Sequence, residues 1–138
     1  MRHIIIFAAI SLLASCAIKM PQPMPFVYSE QSSDQVYEKI NTLANQCWER
    51  KYSLLLDGVK IKSSEYGNRH FVISAYRDRP NPVKYYPFFS AEIIPMDKGT
   101  RINIQEGDFA CSVTGSCYGY DYTTQVKNWV SGGSSCFK

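Results

Sequence analysis

The chain has 138 residues, enough for one hydrophobic core and too few for two. Its formal net charge is only +3 with 20 % charged residues, which excludes the diffuse positive field of a general nucleic-acid binder. Ten Tyr and seven Phe within 45 % hydrophobic content suit a strand-containing domain with rings left over for a surface.

Met1-Arg2-His3 opens the chain with charge, Ile4 to Leu13 is apolar but for one Ser, and Leu13-Ala14-Ser15-Cys16 ends in small residues and a thiol. That order reads as an export signal, and the apolar run is shorter than the roughly twenty residues a bilayer-spanning helix needs. Leu13-Ala14-Ser15-Cys16 resembles the lipobox of bacterial lipoproteins. The resemblance implies a signal peptide over residues 1–15, cleavage before Cys16, a diacylglycerol on the Cys16 sulfur and an acyl group on the new amine. Attachment to a membrane through that lipid follows. Ala17 implies the outer membrane, because in enteric-type lipoproteins Asp at this position favours retention at the inner one.

Pro21, Pro23 and Pro25 alternate in the segment that follows, a pattern that favours polyproline II. Residues 16–32 therefore read as the lipidated Cys and a semi-rigid tether reaching on the order of 50 Å, with one globular domain over 33–138. Ser32, Ser33 and Asp34 offer N-caps for a helix to about Lys51, whose buried stripe would be Val36, Ile40, Leu43, Ala44 and Cys47. From there the period changes to two. Val59, Ile61 and Ser63 alternate with Lys60 and Lys62, and Phe71, Ile73 and Ala75 with Val72, Ser74 and Tyr76, a hairpin turning at Gly67-Asn68. Leu54 to Leu56 fits either a short extra strand or part of a bulged one. Arg77 to Pro82 reads as a projecting loop, since it carries two Pro and alternating charges. Tyr86 to Ile94 and Thr100 to Gln105 form the next pair around Asp97-Lys98-Gly99, with Ile102 and Ile104 inward and Arg101, Asn103 and Gln105 outward. Pro87 and Pro95 belong at strand ends or edges. Asp121 caps a short last helix with Val126, Trp129 and Val130 on one face, ended by Gly132-Gly133. The sum is α+β: an antiparallel sheet of about four strands with both helices on one face.

With Cys16 lipidated, Cys47, Cys111, Cys117 and Cys136 remain, an even set that in an exported protein points to two disulfides. Cys111 and Cys117 flank a Gly-containing turn, and two helices on the same sheet face would bring Cys47 near Cys136. Those are the expected pairings. No metal site is expected, because no two Cys lie at zinc-ligand spacing and His70 is the sole His after residue 16.

Gly115-Ser116-Cys117-Tyr118 resembles the nucleophile signature of papain-like proteases over four residues only, with no His after Cys117 to serve as base. Cell-wall cysteine peptidases, often lipoproteins, use Cys then His; only Cys47 precedes His70 in the domain, and no second His orients the base. Glu92, Asp97, Glu106, Asp108 and Asp121 supply carboxylates at no informative spacing. No catalytic residue and no cofactor is assigned. What remains is aromatic surface: Tyr85-Tyr86 with Phe88-Phe89, the alternating Tyr118, Tyr120 and Tyr122, and a cationic rim of Arg77 and Arg79. The partner-surface candidates are Tyr85, Tyr86, Tyr118, Tyr120, Arg77 and Arg79. The expectation is a non-enzymatic, outer-membrane-anchored lipoprotein with a periplasmic module that binds or assembles another envelope component, a protein or peptidoglycan. The competing expectation is an envelope hydrolase acting on peptidoglycan.

Overall fold

A computed structural model describes residues 24–51, 53–54, 58–78, 87–106 and 121–136. Five strands and two helices follow one another as β1 (Phe26–Ser29), α1 (Ser33–Cys47), β2 (Gly58–Glu65), β3 (Phe71–Asp78), β4 (Phe89–Pro95), β5 (Thr100–Glu106) and α2 (Tyr122–Val130). The fold is α+β: a single antiparallel sheet in the order β1-β5-β4-β3-β2, with both helices packed on one face.

The sheet has five strands where the sequence pattern gives about four. The added strand, β1, lies in the stretch read as tether, so the sheet takes in Phe26–Ser29, ahead of residue 33. Pro25 fits just before an edge strand, where its carbonyl accepts from Ile104 N–H at 2.9 Å. Tyr28 closes the arrangement by donating its hydroxyl proton to the Lys98 carbonyl in the β4–β5 turn. Gly99 in that turn has φ +76°, and a Cβ there would fall 2.2 Å from the Ser29 carbonyl oxygen. Only glycine gives both the left-handed backbone and the close approach of β1.

α1 begins with a capping box: Gln35 N–H donates to Ser32 Oγ and Ser32 N–H to Gln35 Oε1. Val36, Ile40, Leu43 and Ala44 are buried and Cys47 half-buried, the stripe expected from the spacing. The helix stops at Cys47, four residues before Lys51, because Arg50 exchanges both backbone hydrogen bonds with Val59. The chain leaves helical geometry at Trp48 to reach β2.

β2 to β5 form a meander. Inward side chains Val59, Phe71, Ile73, Ala75, Phe89, Ala91, Ile93, Ile102 and Ile104 are nearly all inaccessible. Arg77 and Asp78 continue β3, Arg77 pairing with Val59 in half-buried register. The loop expected from Arg77 therefore starts no earlier than residue 79. Extended pairing prevails because β2 offers partners as far back as Gly58. Leu54 lies outside any strand and is 96 % exposed.

Asp121 caps α2 as expected, accepting from Thr124 N–H and from the Thr124 hydroxyl. Tyr122, Val126 and Trp129 recur at i, i+4 and i+7 and enter the core with Gln125. Trp48 is the hub there: ring centroids of Tyr122, Trp129 and Phe89 lie 4.7, 4.9 and 5.2 Å away, and its Nε1–H donates to Gln125 Oε1 at 2.9 Å. Beyond α2, Trp129 Nε1–H donates to the Ser135 carbonyl at 3.0 Å, fixing the tail so that Cys136 bonds Cys47 with Cα atoms 5.4 Å apart. That is the expected pairing of these two thiols. Cys111 and Cys117 lie outside the described residues.

Candidate binding face

Both helices cover the side of the sheet that carries Ile73, Ile93 and Ile102, and no described element covers the other side. Strand parity places a defined row on that open face from each strand: Lys60 and Lys62 on β2, Val72, Ser74 and Tyr76 on β3, Ser90, Glu92 and Ile94 on β4, Arg101 and Asn103 on β5, Phe26 and Tyr28 on β1. Phe26 and Tyr28 are 59 % and 52 % exposed.

The face has three zones. At the β2 margin Lys62 Nζ sits 5.0 Å from the centroid of the Tyr76 ring and Lys60 stands opposite Tyr76, a cation–aromatic cluster. At the β1 margin the Arg101 guanidinium lies 4.6 Å over the Phe26 ring, with Tyr28 next along the strand. Between them runs a polar chain. Arg101 Nε–H donates to Asn103 Oδ1 at 2.8 Å, Asn103 Nδ2 donates to Glu92 Oε2 at 2.9 Å, and Glu92 Oε1 lies 3.0 Å from His70 Nε2. The Ser74 and Ser90 hydroxyls are hydrogen-bonded beside it at 2.9 Å. These contacts hold the polar side chains in fixed positions, so the face presents a preset pattern rather than a mobile fringe.

The His70 ring meets the Glu92 carboxylate, and Cys47, the thiol that precedes it in the chain, is bonded to Cys136. Among the described residues no three His, Cys, Asp or Glu side chains are grouped as metal ligands. The His70 and Glu92 side chains are 32 % and 37 % exposed, so the pair contributes little. His70→Ala is expected to change the unfolding free energy by less than about 1 kcal/mol, as read by urea titration. A larger loss would make the polar chain a structural strut.

Several residues singled out in the sequence stand elsewhere. Phe89 on β4 and Tyr122 in the first turn of α2 face the helix layer and are buried around Trp48, and Phe88, just before β4, is buried against Tyr122. Arg77 is half-buried within β3, on the helix side of the sheet. Tyr85, Tyr86, Tyr118, Tyr120 and Arg79 lie outside the described residues, as do Cys16 and the whole signal-like segment. The residues on the described open face, Phe26, Tyr28, Tyr76 and Arg101, had one sequence signal. Each has the parity opposite to a buried or half-buried neighbour.

A second concavity, an open groove of about 640 Å³, runs along α1 past Asp34, Glu38, Lys39, Thr42 and Leu43 to Ser134. Asp34 is paired there with Arg69 at 3.3 Å. Among the described residues no helix is long and apolar enough to cross a membrane. The chain matches no family model, no curated protein and no solved structure.

Proposed function

We propose that this protein is an outer-membrane-anchored lipoprotein whose domain binds or assembles another envelope component, a protein or peptidoglycan, on the open sheet face. The observation that carries the reading is the zoned face itself: cations on aromatic rings at both margins with fixed hydroxyl and carboxylate groups between them. Rings of low rotamer entropy beside preset hydrogen-bonding groups suit a protein or glycan surface, because little order is lost on contact. Anchoring rests on Leu13-Ala14-Ser15-Cys16, and the Cys47–Cys136 bond suits an oxidising compartment. Function is then retention: the lipid holds the domain at the membrane and the domain holds a partner.

The test uses the full chain in its native envelope. A photo-crosslinking residue replacing Tyr76 is expected to capture one envelope component, whereas the same residue replacing Lys127 on the exposed side of α2 captures none. In parallel, Cys16→Ser is expected to abolish palmitate incorporation. Capture from Lys127 alone overturns the face, and equal palmitate labelling of Cys16→Ser and parent overturns the anchor.

A further inference from the structure

The two edges of the sheet differ in what they offer a further strand. On β2, Val59 turns its N–H and C=O outward to Arg50, so Ile61 and Ser63 also point theirs away from the sheet. That edge carries exposed Lys60 and Lys62. Pairing it with its own copy about Lys62 would set two ammonium groups face to face, a charge pattern that blocks edge association. On β1 the bond from Ile104 N–H to the Pro25 carbonyl fixes the parity: Pro25, Val27 and Ser29 turn toward β5, and Phe26 and Tyr28 turn N–H and C=O outward. The missing N–H of Pro25 would have pointed into the sheet, so the outward row is intact. No charge stands between Met24 and Ser29, and Met24, Phe26 and Tyr28 are all more than half exposed.

We propose that β1 pairs antiparallel with β1 of a second copy about a two-fold axis at Val27, joining two five-stranded sheets into one. Parity makes this register self-complementary. Phe26 exchanges two backbone hydrogen bonds with Tyr28 of the second copy and Tyr28 two with its Phe26, and the aromatic side chains meet as cross-strand pairs on the open face. The strand itself brings no like-charge pair to a second copy, the neighbouring cation Arg101 lying over the Phe26 ring, whereas Lys62 does so at β2. A strand of four residues buries far less than the roughly 1,200 Å² of a stable interface. The pairing therefore depends on a high local concentration, and at this step it rests on the proposed anchor: ten residues from Cys16 to Phe26 span at most about 35 Å, holding both edges in one layer beside the membrane. The binding faces of the two copies become continuous through their β1 margins.

The experiment uses full-length protein in oxidised membranes. In the proposed register Val27 faces its own copy as a non-hydrogen-bonded pair, with Cα atoms about 4.5 Å apart, within disulfide reach. Val27→Cys is expected to give mostly covalent dimer. Phe26→Cys, offset by two residues from its copy, and Lys62→Cys, on the other edge, are expected to give at least tenfold less. Tyr28→Pro removes an outward N–H, spares the backbone bonds to β5 and loses the hydroxyl bond to Lys98, which Tyr28→Phe loses alone. Combined with Val27→Cys, Tyr28→Pro is expected to return to monomer and Tyr28→Phe to stay dimeric, both with the Cys47–Cys136 bond intact. Equal cross-linking of all three single variants, dimer from Lys62→Cys alone, or no dimer from Val27→Cys overturns the pairing. Palmitate labelling reports the anchor independently. Labelling without cross-linking rejects the pairing, and cross-linking without labelling rejects only the anchor.

Discussion

Replacing Trp48 with Ala is expected to lower the unfolding free energy by about 4 kcal/mol, the largest effect of any single substitution in the described core. Trp48 is 2 % exposed and touches three rings from two elements, Phe89 on β4 and Tyr122 and Trp129 on α2. Truncation removes the ring and leaves a void that none of these bulky neighbours can fill without leaving its own rotamer. It also deprives the buried Gln125 Oε1 of the indole donor. Trp48→Phe separates the two terms, since it keeps most of the volume and loses the hydrogen bond. Its expected cost is about 1 to 2 kcal/mol. Urea titration followed by far-UV circular dichroism measures both. A loss under 2 kcal/mol for Trp48→Ala would mean that the cluster does not hold α2 on the sheet.

The second large effect is expected from the paired change Cys47→Ser with Cys136→Ser. The bond joins residues 89 apart in sequence, and in the chain-entropy model a closed loop of that length restricts the unfolded chain by about 4 to 5 kcal/mol. The domain is small enough for such a loss to approach its whole stability. The paired variant is expected to unfold at a much lower urea midpoint with an increased m-value, because the open unfolded chain exposes more surface. Reduction of the parent with dithiothreitol reproduces the shift. An unchanged midpoint would show that the docked tail, held by the Trp129 to Ser135 bond, suffices without the covalent link.

Where the pattern was long and regular the sequence was a good guide to the structure. The α1 stripe Val36, Ile40, Leu43 and Ala44, the β2–β3 hairpin around Gly67-Asn68, and the inward Ile102 and Ile104 follow from period alone. The Cys47–Cys136 bond followed from placing two helices on one face. β1 did not, because four residues are too few to display alternation and the three preceding prolines dominate their surroundings. Its partner lies about seventy residues away, and no local signal reports such a distance. The direction of each aromatic ring was not legible for a related reason. Composition counts rings but not the direction in which each points, and only the sheet shows that Phe88, Phe89 and Tyr122 face the core while Phe26 and Tyr28 face out. The open face itself was legible residue by residue, in Arg101 and Asn103 opposite Ile102 and Ile104. Only the sheet order shows that these rows adjoin.

That sheet order also dictates a sequence of events in time. The meander from β2 to β5 pairs strands that follow one another in the chain, whereas β1, first in sequence, must wait for β5, last of the strands, and Cys47 must wait for the tail. Short loops close with less entropy lost than long ones, so the expected order is the four-stranded meander first, then the outermost strand and the covalent bond together. Until then the Phe26 and Tyr28 edge has no sheet to belong to, and the two ends of the domain are free. The newborn chain is thus expected to pass through an interval in which β1 is unpaired on both sides, an interval that ends when β5 is complete.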